Sequence, residues 1–218
     1  WTWCKTYLLN GTQATVGERG SPDPLGSWVL HNKMVQESKT WTKWLMFVDL
    51  DEFVLPIEKD DLPSVLEKYE SYPGLVINWR VFGSSDLAKA PTYQIPSFLY
   101  RTKDEEGINR EVKSIVQPSK AIRFQGQPHS LNYAESWAVD EDYEVVNGPF
   151  NDKKPAKKIR INHYMVRSRE DFERKKALGR ADCGQFRDET YWLNYNKNDV
   201  FDDLICRKYW DKLRPLLV

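Results

Sequence analysis

A chain of 218 residues with 40% hydrophobic side chains is long enough to enclose one sizeable core. Its 32 basic and 32 acidic residues cancel, without the basic excess of a dedicated nucleic-acid binder, and no apolar run approaches the ~20 residues needed to cross a bilayer. Three cysteines, Cys4, Cys183 and Cys206, with no C-x-x-C pair fit neither a disulfide scaffold nor a zinc ribbon.

In chain order, residues 1–9 read as a short strand and residues 11–25 as a loop rich in Gly, Pro and Thr. Asn10-Gly11-Thr12 is a formal glycosylation sequon, a triplet too common to fix a compartment. Over residues 27–39 the apolar positions Trp28, Leu30, Met34 and Val35 recur near helical spacing, with Ser27 placed to cap. The sharpest segment follows. Residues 44–48 are continuously apolar and stop at Asp49-Leu50-Asp51-Glu52. Such a run predicts a central strand covered on both faces, with the acids at its carboxyl end, the edge where open α/β sheets bind ligands.

Residues 61–72 predict a helix with Pro63 in its first turn, ended by Pro73-Gly74. Residues 75–82 predict a strand, followed by the small-residue loop Gly83-Ser84-Ser85-Asp86. Residues 95–102, 111–117, 120–124 and 136–146 have the character of strands or strand–loop pieces, and 151–158 that of a charged loop. Residues 159–166 predict a strand carrying His163, and Ser168 caps a predicted helix reaching Leu178, before Gly179. Residues 199–213 predict a last helix. Strand–helix alternation first and a mixed sheet later indicate one α/β domain over residues 1–218.

The acidic cluster carries the chemistry. A sugar leaving a nucleotide diphosphate deposits negative charge on phosphate oxygen, and a divalent cation offsets it as a Lewis acid. Mg²⁺ and Mn²⁺ take oxygen ligands, often only one or two from protein. Asp49 and Asp51 are two residues apart and face one side of a regular strand. Asp51, expected to be the more exposed, is the candidate direct ligand. Asp49 is assigned to the ribose and to the groups behind the ion, and Glu52 to hydrogen bonds supporting both. Burying two carboxylates at a core edge is costly unless a cation or donors compensate.

The chain also resembles the GT-A type glycosyltransferases of the family-92 and family-2-like group. The resemblance rests on residues 44–53, then Ile77-Asn78-Trp79-Arg80-Val81-Phe82-Gly83-Ser84-Ser85, Val112-Lys113-Ser114-Ile115-Val116-Gln117-Pro118, Pro128-His129-Ser130, Ile161-Asn162-His163-Tyr164, Arg167-Ser168, Phe172 and Lys175 to Asp182, ending in Gly179-Arg180-Ala181-Asp182, in that order. It departs at Ser85-Asp86, where glycine is common, and at Gln117, where arginine is frequent. It implies a GT-A fold with a central, mixed but mostly parallel sheet flanked by helices. It also implies a strand and loop upstream of Trp1, so that this chain is expected either to lack its N-terminal strand or to be part of a longer one. The implied reaction takes a sugar from a nucleotide-sugar donor, with UDP as the nucleotide, to a hydroxyl of a glycan or glycoconjugate, with inversion as the family expectation and retention left open. The implied cofactor is Mn²⁺ or Mg²⁺, with His163 completing the metal shell beside Asp49 and Asp51.

Other residues take roles around that centre. His129 and Lys113 are candidates for the nucleotide sugar, Arg80 and Trp79 for the acceptor, and Arg123 for either. If the reaction inverts, a carboxylate must take the acceptor's proton; Asp86 is the candidate, with Glu135 and Asp140 as rivals. His31 is assigned to packing or surface. Two other readings stand beside transfer: a sugar nucleotidyltransferase, for which no convincing Gly-rich phosphate loop is present, and a non-catalytic carbohydrate-binding module. Neither a nucleic-acid partner nor a membrane segment within these residues is expected. The compartment is left as either the cytoplasm or the luminal part of a membrane-anchored protein.

Overall fold

In the computed structural model the structure describes residues 26–124, 129–178 and 187–217. The expected strand 1–9, the loop 11–25, the sequon, Cys4, Cys183 and the segment Gly179–Asp182 lie outside them. The elements run α1 (Gly26–Ser38), β1 (Leu45–Met46), β2 (Glu52–Pro56), α2 (Leu62–Leu66), β3 (Gly74–Val81), β4 (Tyr100–Arg101), β5 (Val112–Val116), β6 (Ala121–Phe124), β7 (Leu131–Tyr133), β8 (Ile159–His163), α3 (Arg169–Leu178), α4 (Glu189–Tyr195), β9 (Val200–Phe201) and α5 (Leu204–Leu213).

A five-stranded sheet in the order β1-β5-β3-β8-β2 organises the molecule. It is mixed, but not mostly parallel as expected. β3 and β8 pair in parallel, whereas β1 with β5, β3 with β5, and β2 with β8 are antiparallel. The reason is topological. β1, β3 and β8 run one way and β5 and β2 the other, so β3 and β8 are the one pair of neighbours that runs the same way, with a connection long enough for the crossover that parallel pairing requires. The central strand is β3, every residue of which is buried. Leu75, Ile77, Trp79 and Val81 alternate to one face, where they pack with Ile115, Ile159, Ile161 and with Val65, Leu66 and Tyr69 of the α2 turn. Burying this layer removes its apolar surface from water, which stabilises the fold by about 25 cal/mol per Å².

The apolar run 44–48 is the largest departure from expectation. It is not a central strand. Only Leu45–Met46 is extended into the sheet, at an edge, and β2 begins at Glu52 on the opposite edge. Residues 47–51 therefore link the two edge strands across the end of the sheet where β3 and β8 finish. Val48 is exposed there and Leu50 is 94% exposed. Continuous hydrophobicity states that burial is available, not which edge the chain leaves.

Local signals elsewhere act as the residues require. Asp61 caps α2 by accepting from the Ser64 amide at 2.8 Å, with Pro63 inside the first turn. Ser168 precedes α3, its Oγ accepting from the Asp171 amide at 3.1 Å and donating to Asp171 Oδ2 at 2.8 Å, a side-chain cap of one free backbone donor. The expected strand 95–102 shrinks to β4 and 136–146 to isolated bridges at Val139. α4, β7 and β9 were not anticipated. His31 is a packing residue, its ring 4.5 Å from Phe47 and 5.5 Å from Phe124, and its burial lowers its basicity.

Candidate active site

The face of the sheet that is apolar at Ile77 and Ile161 turns polar one step further along. Lys113 pairs with Ile77 and Glu52 with His163, so the alternation of β5, β2 and β8 brings Lys113, Glu52 and His163 toward the end crossed by residues 47–51. Trp79 lies under them. Its ring meets His163 edge-on at 4.3 Å and His129 at 5.4 Å.

Asp49 and Asp51 are placed on the crossing turn, closed by the Glu52 amide donating to the Asp49 carbonyl at 3.0 Å. They do not share one strand face. Asp49 is the outer residue, its side chain 66% exposed, and receives a hydrogen bond from Lys113 Nζ at 3.0 Å. Asp51 is the inner one, 19% exposed, the reverse of the expected order. The cause is local: the Tyr164 amide donates to the Asp51 carbonyl at 2.8 Å and pins that residue against the end of β8. Its Oδ1 then faces His163 Nε2 at 3.6 Å, beyond hydrogen-bond length, while Oδ2 accepts from Lys175 Nζ of α3 at 2.6 Å. Burial pushes the Asp51 carboxyl upward, but His163 and Lys175 outweigh it and hold the group well below the usual carboxylate range. Desolvation lowers the Lys175 ammonium against the pull of Asp51.

Glu52 supports this arrangement from inside. Its side chain is fully buried, Oε2 accepts from the Asp49 amide at 3.0 Å, and Lys113 lies 3.4 Å away. Burial raises the Glu52 carboxyl despite Lys113 and His163. Its Oε1, His163 Nδ1 and Trp79 Nε1 are buried and have no hydrogen-bond partner among the described residues. Unpaired buried polar atoms are uncommon and each asks for an explanation. Here three of them gather at one end of one sheet.

Five of the residues chosen from sequence thus converge with the acid pair: Glu52, Lys113, His129, His163 and Trp79. Trp79 is core beneath the site rather than an open stacking surface, at 7% exposed. Arg80 points to the opposite face. Its Nε donates to Asp104 at 3.0 Å, Nη1 to the Trp79 carbonyl and Nη2 to the Lys154 carbonyl, both at 2.7 Å, so its donors serve the fold. Asp86 lies in the expected loop with φ of 57° and accepts from Asn198 Nδ2 at 3.0 Å; among the described residues no contact joins it to the acid pair. Asp140 is buried and accepts from the Asp142 and Glu144 amides and from Asn151, a turn-forming role.

Two residues here carry no role in the sequence reading, although Lys175 opens one of its motif segments. Lys175 follows the buried Phe172 by three positions on α3, the spacing of one helix face, which marks it as inward-pointing. Glu111 precedes β5 and shares the alternation of Lys113. Its carboxylate lies 4.0 Å from His129 Nδ1.

The donor set is carboxylate oxygen and imidazole nitrogen, which suits Mn²⁺ better than Mg²⁺. Among the described residues no three His, Cys, Asp or Glu side chains are arranged to hold an ion by themselves, and no helix is long and apolar enough to cross a membrane. A comparison with curated proteins returned no match. Residues 29–147 match the family model described as glycosyltransferase family 92. The matched stretch contains Asp49, Asp51, Glu52, Trp79, Glu111, Lys113 and His129, while His163 and Lys175 lie beyond it. With over half of the chain in that match, and the acid turn inside it, the chain belongs to glycosyltransferase family 92.

Proposed function

We propose that this chain is a metal-dependent glycosyltransferase of GT-A fold that moves a sugar from a UDP-sugar to a hydroxyl of a glycan or glycoconjugate. The observation that carries the metal and the donor is Asp51 Oδ1 facing His163 Nε2 at 3.6 Å beside Glu52 Oε1 and His163 Nδ1, which have no hydrogen-bond partner among the described residues. Two protein donors suit a cation whose remaining positions are taken by diphosphate oxygens. Bound there, Mn²⁺ supplies Lewis-acid stabilisation of the departing diphosphate. Asp49, outermost and exposed, reaches the ribose. Lys113, 3% exposed, keeps Asp49 and Glu52 in place and adds positive charge next to the phosphates. Glu52 and Trp79 hold the floor of the site and keep water from beneath it.

Calorimetry with UDP, with and without Mn²⁺, tests the reading, followed by nucleotide release from a panel of UDP-sugars. Metal-dependent UDP binding and turnover are expected, and Asp51→Ala abolishes both while circular dichroism keeps the folded signature. Glycan binding with no nucleotide response, or an Asp51→Ala protein that retains normal turnover, removes the proposal.

A further inference from the structure

Transfer needs a carboxylate for the acceptor's proton, and most carboxylates of the site are already committed. Asp49 and Glu52 lie against Lys113, Asp51 against Lys175, and Glu52 is sealed from solvent. Glu111 differs. Its side chain is 24% exposed, and among the described residues no lysine or arginine lies within ion-pair distance of it. His129 does not tie it up either. A carbonyl can only accept, so the 2.7 Å contact of His129 Nδ1 with the Val112 carbonyl places the ring proton there, and Glu111 Oε2 at 4.0 Å stays free to accept. The backbone of Glu111 is held rigidly: the Trp79 amide donates to its carbonyl at 3.0 Å, its own amide donates to Ile108 at 3.2 Å, and the residue bridges to Phe150. Trp79 separates it from the metal-facing end, with His163 against one part of the indole and His129 against another.

We infer that Glu111 is the general base of the transfer, held by its backbone bonds beside His129 and set across Trp79 from Asp51 and His163, an assignment that rests on the glycosyl-transfer reading above. The acceptor hydroxyl oxygen forms a bond to the anomeric carbon, its proton passes to the Glu111 carboxylate, and the bond from that carbon to the diphosphate breaks with its electron pair going to phosphate oxygen. Burial raises the Glu111 carboxyl despite Arg110, His163 and Lys113, which suits a proton acceptor.

The test uses the full chain with Mn²⁺ and the UDP-sugar that supports turnover. Glu111→Ala is expected to lose about 10²–10⁴-fold in transfer or donor hydrolysis with UDP affinity unchanged. Sodium azide, a nucleophile with no proton to remove, is expected to restore nucleotide release and yield a glycosyl azide. Asp86→Asn serves as the comparison and is expected to turn over within a few-fold of wild type. Turnover by Glu111→Ala within about tenfold of wild type overturns the assignment, as does loss of turnover without azide rescue or an inactive Asp86→Asn beside an active Glu111→Ala. A wild-type chain that neither binds UDP nor turns over any donor removes the transfer reading itself, and the base with it.

Discussion

At the scale of single residues, charge pairing decides the site. Asp51 is held by an ammonium on a different element, Lys175, whose Nζ also donates to the Met165 carbonyl at 2.8 Å. An ammonium and a metal ion compete for the same carboxylate. Lys175→Met removes the resident cation and leaves Asp51 buried beside only His163. Without metal this costs about 3–5 kcal/mol, the usual penalty for stranding one member of a buried pair. With Mn²⁺ the loss shrinks, so thermal melts in EDTA and in Mn²⁺ are expected to show a larger metal-induced rise in Tm for the variant than for wild type. Equal rises would show that Lys175 and the ion do not compete. The acids, Glu52, Lys113, His129 and His163 were recognisable in the sequence because each stands at a strand end or inside a motif. Lys175 and Glu111 were given no role, because a charged residue reads as solvated until the fold shows which face it occupies.

At the scale of elements, the opposite face of the sheet is secured by ions. Arg160 of β8 donates through Nη1 and Nη2 to both oxygens of Asp202, each at 2.8 Å, and Arg101 of β4 donates Nε to the same carboxylate at 2.6 Å. This ties the central sheet to the β4–β9 ribbon and to the start of α5. Burial disfavours the Asp202 anion, but the two guanidiniums prevail and hold its pKa at about 2, below the ordinary 3.8. Unfolding therefore takes up protons at Asp202 as pH falls, and stability follows pH upward in that window. The contribution is complete above about pH 4 and disappears as pH approaches 2. Asp202→Asn is expected to cost about 3 kcal/mol at neutral pH and to flatten the acid limb of urea-denaturation midpoints between pH 4 and 2. An unchanged acid limb would show that the bridge does not set it. The helices were legible where caps exist, as at Asp61 and Ser168. The sheet was less so: β1 and β2 were merged into one strand because hydrophobic continuity hides a change of partner.

At the scale of the molecule, the site belongs to no single element. It draws Glu52 from β2, Lys113 from β5, His163 from β8, Lys175 from α3 and the acid pair from the turn that crosses between the two edges. Ligand binding must then act on the sheet and α3 together. UDP with Mn²⁺ at about 100 times its Kd is expected to add about 2.7 kcal/mol, roughly 5–10 °C in Tm for a chain of this length, as one calorimetric transition moving intact. A transition that splits on binding would show α3 docking as a separate unit.

What the sequence determined by itself was the mixed α/β class, the acid turn, the buried strand at 75–82, the histidine-bearing strand and the family. All of these rest on local pattern: the period of the hydrophobic residues, cap residues and motif order are properties of neighbours along the chain. Only the tertiary structure decided that the apolar run divides between opposite edges of the sheet, that Asp51 rather than Asp49 lies inside, and that Lys175 and Glu111 face the site. Those outcomes depend on strand order and on pairing between residues up to 124 positions apart, as for Asp51 and Lys175. Such pairings are set by the competition of whole surfaces for burial, and no local window contains that competition.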